Sequence, residues 1–576
     1  MRRSSILIIL AISSFLFAAA ALRLNPSFSS ALAAQPQAAQ PQPTAGAPPQ
    51  DSLLRNAKLG AAVQPADIPS VPSPSPFSAS PATETYTAKR GETITALARQ
   101  YLKKTSYLTS SELAEAIRKG NGDRAGNILK AGEQITIPGI LPAPIVEKTV
   151  PVPKDFEVRA IYLTGIMAAS DHGLRIIRHW RQVGGNAVVF DIKDSDGSVN
   201  IPFDDPLLGK HPVYIHDLPK FVHFLHSENM HAIARIAIFR DERLVVEHPE
   251  LAVKSRKTGQ PWRENGKLVW TDPSQPKVQE YDIALAKFVA QSGADEIQFD
   301  YVRFPAEGDQ KDASFFYQGE RPDVNPDSSL LLAAEKKSAE CPDASTISTP
   351  APKGQKNGAH GANRGRDGKT QPVPEGRKTG CSAANRGVQR SDVITGFLKK
   401  AYAELHPTGV LLSLDVFGVM AWQRPVDLSH TGQDIVGMAK YCDVLSPMIY
   451  PSHFFGMDNI EHPGDAPEHF IGESMQRFEL ITRGSGVVIR PWLQAFRWRT
   501  KTYSPEYIKV QVATAKEKGG IGFLFWNAAN DYGKPYEAMP EMNAAKDKFF
   551  RGDELPGATV KASLTPAAVP ATPRNP

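Results

Sequence analysis

The chain has 576 residues, enough for one large domain with accessories, and its 48 prolines and 43 glycines gather in a few stretches, so it is not one compact body. Its net charge of +5 is modest and unevenly placed. The three cysteines show no C-x-x-C element and no neighbouring histidine pair, which leaves zinc unsupported, and no other metal or cofactor is called for.

At the amino terminus Arg2 and Arg3 precede an apolar run over 6–22, and Ala31-Leu-Ala33 supplies the small residues that a signal peptidase reads. Residues 1–34 are expected to be a signal peptide or, uncleaved, an N-terminal anchor, since the run is short for a membrane span of roughly 20 residues. The chain is therefore expected to be exported and to work in the periplasm, outside the cell or on the cell envelope. Nucleic acid is then no partner, and a membrane is one only if the segment stays uncleaved. Residues 35–85, rich in Ala, Gln, Pro and Ser, read as a flexible linker. Residues 86–138 read as strand, helix, helix, strand, with the second helix over 111–119 capped by Ser110 or Ser111. The opening Tyr86-Thr-Ala-Lys-Arg-Gly-Glu-Thr-Ile94 and the closing Leu129-Lys-Ala-Gly-Glu-Gln-Ile-Thr-Ile-Pro138 resemble a LysM module. That resemblance implies a groove for peptidoglycan or a chitin-like glycan, formed by Gly91, Glu92, Thr93 and Ile94 in one loop and by Leu129 and Lys130 in the other.

A proline-rich stretch over 139–155 reads as a second linker. From 156 to 550 β-type and helix-type segments alternate. Strands are predicted over 158–165, 186–193, 231–239, 296–303, 410–418, 444–450, 487–496 and 520–527, with helices at 173–183, 218–229, 276–292, 392–405 and 505–518. Eight such units argue for a closed (β/α)8 TIM barrel; the rival, an open doubly wound sheet, lacks a glycine-rich phosphate loop after its first strand. Residues 307–390 interrupt the pattern. Between 351 and 390, nine Lys or Arg face two acids in sequence rich in Gly, Asn and Pro, which predicts a largely disordered basic insert. An oxidising compartment permits Cys341 and Cys381 to pair there, a point the sequence leaves open. Residues 551–576 read as a disordered tail.

The run Glu296-Ile-Gln-Phe-Asp300 carries the most chemical information. In a strand its three polar side chains share one face. Burying an unpaired polar group costs roughly 2 to 7 kcal/mol, so such a ladder must pair or line a wet cavity, and a barrel mouth is one. At the carboxyl ends of the predicted strands stand Asp191 and Lys193, Tyr301 and Arg303 after Asp300, Asp415, Tyr450 followed by His453, Gln494, and Trp526. Acids and amides of this kind hydrogen-bond sugar hydroxyls, and aromatic rings cover the C–H faces of pyranoses. Asp300 and Asp415 fall at equal heights on adjacent strands, and glycoside hydrolysis needs two carboxyl groups about 5 to 9.5 Å apart. Two acids in one pocket also push one pKa upward, which keeps a proton donor loaded near neutrality.

The segments Ala234-Arg-Ile-Ala-Ile-Phe239, Trp270-Thr-Asp-Pro273, Glu296-Ile-Gln-Phe-Asp-Tyr-Val-Arg-Phe-Pro305, Leu414-Asp-Val-Phe-Gly418, Asp443-Val-Leu-Ser-Pro-Met-Ile-Tyr-Pro-Ser-His453, Arg490-Pro-Trp-Leu-Gln494 and Trp526-Asn-Ala528 resemble a family of (β/α)8 barrels from bacterial exported proteins that is classed with the glycoside hydrolases. The resemblance implies hydrolysis of a polysaccharide substrate, with Asp300 as nucleophile or charge stabiliser and Asp415 as acid/base. Strand four ends in an aspartate where family 18 chitinases have a glutamate, so substrate-assisted chemistry lacks its acid. The expectation is an exported glycoside hydrolase acting on a cell-wall or extracellular polysaccharide and tethered by its LysM module. The alternative is a noncatalytic wall-polysaccharide-binding protein.

Overall fold

The computed structural model describes residues 82–123, 126–319 and 387–552. The expected leader, nearly all of the first linker, most of the basic insert with Cys341 and Cys381, and nearly all of the tail lie outside the described residues. Eight parallel strands close into a barrel: Arg159–Leu163, Ala187–Lys193, His231–Ala237, Glu296–Asp300, Leu411–Phe417, Val444–Ile449, a seventh in two pieces (Val488–Ile489 and Trp492–Gln494), and Phe523–Trp526. The eighth pairs with the first, Phe525 opposite Ile161, so the sheet has no edge and the chain is a (β/α)8 TIM barrel.

Every strand is shorter than predicted, and two of them for a clear local reason. The seventh breaks at Arg490-Pro491 because proline has no N–H for the ladder. Backbone bonds from Arg490 N to Leu445 O (2.9 Å) and from Leu524 N to Pro491 O (3.0 Å) carry it across the gap. Strand four stops at Asp300 because Tyr301 turns left-handed, with φ 54°. The predicted helices appear as Asp171–Gln182, Leu218–Ser227, Pro276–Gln291, Arg390–Leu405 and Pro505–Glu517, and Pro467–Thr482 and Gly533–Ala544 fill the places after strands six and eight. Asp217 and Ser504 start two of them by accepting from the backbone N–H groups of Lys220 and Tyr507. The outward strand residues, such as Val188, Phe190, Ile297 and Phe299, pack with the helices in the main core, which is why the strands read as almost continuously apolar.

Residues 82–140 form a βααβ unit. Strands Ala82–Thr87 and Gln134–Ile140 pair antiparallel, and helices Ile94–Tyr101 and Ser110–Gly120 cover them through Ile94, Leu97, Leu113, Ile117, Ile135 and Ile137. The second helix is capped by Thr109, not by either serine, because its Oγ1 is the one that accepts from Glu112 N (3.1 Å). The unit rests on the outer barrel wall. Arg178 Nη2 donates to Glu112 Oε1 at 2.9 Å, Lys220 Nζ to Leu102 O at 2.9 Å, and the Thr109 hydroxyl to Asp171.

The stretch predicted as a second linker packs along the barrel as well. Thr149 Oγ1 donates to Ala294 O and Val150 N to Asp295 Oδ1, both at 2.7 Å. The first residues of the predicted insert are likewise tied down: Ala313–Ser314 pairs with Lys254–Ser255, and the Glu264 carboxylate accepts from Ala306 N and Glu307 N at 2.8 Å each. Among the described residues no helix is long and apolar enough to cross a membrane.

Candidate active site

Strand four sends three polar side chains into the barrel, and each meets a different kind of partner. At the floor, both oxygens of Glu296 accept from Arg490 Nη1 (2.9 and 2.8 Å). Burial would raise its carboxyl, but the Arg490 guanidinium and the His231 hydrogen bond outweigh that and hold it at about 2. One level up, Gln298 Nε2 donates to Asp415 Oδ1 (2.9 Å), and Trp492 Nε1 donates to the same oxygen (2.6 Å). Asp415 is 1 % exposed, and burial together with the Asp300 charge pushes its carboxyl well above the usual range, against the pull of Arg235 and Trp492.

At the top, Asp300 Oδ2 accepts from Arg235 Nη2 (2.6 Å) and Nε (3.2 Å), while Oδ1 accepts from Tyr301 N (2.6 Å). Strand register places Phe299 beside Leu414, so Asp300 and Asp415 follow at one level on adjacent strands. Arg235 is shared: its Nη1 donates to Asp191 Oδ1 (2.5 Å), and Tyr162 donates its hydroxyl to Asp191 Oδ2 (2.5 Å). Burial, partly offset by Arg235, lifts the Asp191 carboxyl to about 7.

Several predicted substrate contacts are engaged by other protein groups. Asp191 is fully buried with both oxygens engaged, so it orients Arg235 and does not face a sugar. Lys193 lies beyond a register shift and points out of the barrel into an ion cluster with Asp241 (2.9 Å) and Asp282 (2.8 Å). Gln494, also fully buried, spends its side chain on loops: Oε1 accepts from Ser452 N (3.2 Å) and Nε2 donates to Phe496 O (3.0 Å). Tyr450 and His453 are nearly buried in an aromatic group with Phe496 and Trp498. Burial and the Arg499 charge lower the His453 imidazole to about 4.

Trp526, Tyr301 and Arg303 do stand at the mouth. The Trp526 ring stacks on Tyr162 (4.1 Å between centroids) and stays partly open, and Arg303 lies between the rings of Trp270 and Phe417. In the βααβ unit, Ile94 and Leu129 are core residues, Thr93 caps its helix through Ala96 N, and the Glu92 carboxylate accepts from Tyr86 OH and Lys89 N. Their side chains hold the unit together, which leaves Gly91 and Lys130 as the exposed members of the predicted set, in loops that also expose Arg90 and the 72 % exposed Ile128.

Arg235, Trp492 and Tyr162 belong to the site and were not singled out from sequence. The signal for Arg235 was present as one arginine inside the otherwise apolar run 232–239. Trp492 and Tyr162 gave none, since aromatic residues in strands are ordinarily core. Among the described residues no group of His, Cys, Asp or Glu is arranged to hold a metal ion.

Residues 160–532 match the family described as "Putative glycosyl hydrolase domain". The chain belongs to that family. A search among functionally described proteins finds no match. Among solved structures the chain is similar to a hypothetical protein from Ruminiclostridium thermocellum ATCC 27405, with 36% identity over 31% of this chain and 92% of that one and a TM-score of 0.26. It is also similar to the PgaB (BpsB) glycoside hydrolase domain from Bordetella bronchiseptica, with 12% identity over 69% of this chain and 100% of that one and a TM-score of 0.43. A third is the spore cortex-lytic enzyme SleL from Bacillus megaterium QM B1551, with 11% identity over 81% and 86% and a TM-score of 0.34.

Proposed function

We propose that the protein is an exported glycoside hydrolase that cleaves a cell-wall or extracellular polysaccharide, with Asp415 as acid/base and Asp300 as nucleophile or charge stabiliser. The observation that carries this reading is the unequal environment of two neighbouring acids. Asp300 has a guanidinium clamped on its carboxylate, whereas the direct partners of Asp415 are the neutral donors of Gln298 and Trp492. Asp415 thus keeps a proton to give to the glycosidic oxygen as the bond to the leaving sugar breaks, and Asp300 meets the positive charge that develops at the anomeric carbon. Trp526, partly open, supplies a ring surface at the rim.

Asp300→Asn should lower turnover of every substrate by at least about a hundredfold, while Asp415→Asn should spare activated aryl glycosides, whose leaving groups depart without full protonation. Kinetics of both variants on an aryl glycoside and a natural oligosaccharide test this. Wild-type rates in both would end the two-carboxylate reading. One observation favours the noncatalytic alternative, the near-complete burial of Asp415, and such variants would then leave glycan binding intact with no parent turnover to lose.

The βααβ unit is proposed to act as a LysM-type module that holds the enzyme on peptidoglycan or a chitin-like glycan. Its loops at 88–93 and 126–133 are bonded together through Ile94 N to Asn127 O and Leu129 N to Glu92 O. They lie at the end of the unit opposite the 102–109 loop, the end that touches the barrel. This leaves the groove end facing away from the wall.

A further inference from the structure

Among the described residues, two guanidinium groups at the barrel mouth make no direct ion pair, although the charges of Glu264 and Asp300 act on one of them, Arg303, from farther off. Arg303 is 8 % exposed and sits 4.6 Å from the Trp270 ring and 4.4 Å from the Phe417 ring, with Nη1 donating to Phe304 O at 3.0 Å. Arg240 lies over the Tyr301 ring at 5.2 Å and donates Nη1 to the Tyr301 hydroxyl (3.0 Å); Arg303 is 5.5 Å from the same ring. Among the described residues neither has a carboxylate oxygen within salt-bridge reach. The cations of the barrel wall differ: Arg235, Arg490 and Lys193 each hold at least one carboxylate.

Taking a guanidinium out of water is costly, and ring faces return only part of that cost while leaving most of the in-plane N–H donors unused. An arginine left so at a ligand-binding mouth is suited to a planar anion that takes its fork of donors. Tyr301, the ring between the two cations, holds a left-handed backbone (φ 54°) fixed by Asp300 Oδ1 on its N–H, so the arginine pair is registered to Asp300 itself. Across the mouth the exposed Arg499 stacks on Phe455 and Trp498 (4.3 and 4.5 Å), adding positive charge to the rim.

We propose that the mouth accepts an anionic polysaccharide, and that Arg303 and Arg240 bind a carboxylate carried by the sugar next to the bond that is cut. This rests on the glycoside hydrolase reading and gives it a substrate class. Two sources share the chemistry, the ring carboxylate of a uronic acid and the lactyl carboxylate of a muramic acid.

The test uses the full chain and calorimetric binding to oligogalacturonate, to hyaluronan fragments and to peptide-free N-acetylglucosaminyl-muramyl oligosaccharides, each beside its carboxyl-reduced counterpart. At least one charged form should bind about ten- to a hundredfold tighter than its neutral twin, the range of a charge-assisted hydrogen bond. The backbone showing the preference identifies the source. Arg303→Gln and Arg240→Gln should each remove most of the preference and leave binding of the neutral twin within a few-fold. Arg240 is only half-buried, so its variant keeps the test alive if Arg303→Gln fails to fold. No charge preference on any backbone, or a preference that survives both substitutions, overturns the inference. Cleavage of a neutral glycan without charge preference would sink this inference and keep the hydrolase, whereas arginine-dependent preference with no turnover of any glycan would do the reverse.

Discussion

Glu147 fastens the segment that joins the βααβ unit to the barrel, and replacing its partner His226 should loosen that clasp in a pH-dependent way. The Glu147 carboxylate meets His223 Nδ1 (2.6 Å) and His226 Nδ1 (3.0 Å), and His226 Nε2 reaches Asp295 Oδ2 (3.0 Å). Burial alone would lower the His226 imidazole, but the hydrogen bonds and charges of Asp295 and Glu147 outweigh it and raise it from 6.5 to about 9. The rise from 6.5 to about 9, at about 1.4 kcal/mol per pH unit, gives about 3.5 kcal/mol, and about 3 kcal/mol once the 14% exposure of the side chain is discounted. The folded value lies above the unfolded one, so this stability is complete below about 6.5 and lost as pH rises through about 9. Glu147, held at about 2, reports the same contacts from the other side and is not added; its share fades as pH falls through that value. Lys220, which burial lowers to about 8, works in the opposite sense at alkaline pH, so the wild-type profile alone is mixed. The difference between wild type and His226→Gln in urea midpoints, followed by tryptophan fluorescence, isolates the clasp. That difference should be about 3 kcal/mol near pH 6 and close to nothing at pH 10. A gap that stays constant with pH, or grows, would refute the ion-pair account.

Lys193→Met should destabilise the protein by about 3 to 5 kcal/mol, because Asp241 and Asp282 are left buried without their cation, yet leave KM unchanged in whatever folds. Thermal melts and kinetics check both halves, and a KM effect would restore Lys193 to the substrate. Removing residues 82–140 should weaken pull-down by insoluble peptidoglycan or chitin while turnover of soluble substrates stays nearly constant, since a tether acts through effective concentration. Undiminished pull-down would dismiss the module as anchor.

The barrel was legible because its evidence is periodic. Eight apolar runs spaced by helical patterns recover the strand order without any knowledge of contacts, and the alternation along strand four correctly puts Glu296, Gln298 and Asp300 on the inner face. The site was legible only where periodicity reaches. Lys193 follows Asp191 by two residues and so reads as sharing its face, but a register shift between them turns it outward, and a bulge leaves no mark in composition. Gln494 does face inward, yet whether an inward amide meets a sugar or a loop depends on the 450s loop folding back over it, a non-local fact. The proline-rich stretch 139–155 reads as linker by composition and is pinned by Asp295, which is distant in sequence.

The charge count inside the barrel explains why strand four alternates acid, amide, acid. Four carboxyl groups, those of Glu296, Asp300, Asp415 and Asp191, share the interior with two guanidiniums, Arg490 and Arg235. Four buried negative charges cannot be held by two positive ones at tolerable cost, so two carboxyls must keep their protons. Glu296 takes one cation outright, and Asp300 and Asp191 share the other, Asp300 through two of its nitrogens and Asp191 through one, with Asp191 at about 7 and Asp415 well above the usual range. Gln298 decides where the firmer proton resides, because it gives Asp415 a neutral partner. Infrared difference spectra in deuterated buffer should therefore show a protonated-carboxyl stretch at neutral pH. Asp415→Asn should remove the part that persists on raising the pH, and Asp191→Asn only a share of the part that titrates near 7, since burial lifts the Asp282 carboxyl to about 7 as well. If the wild type shows no such band between pH 5 and 7, both acids are ionised, and Asp415 has no proton to donate.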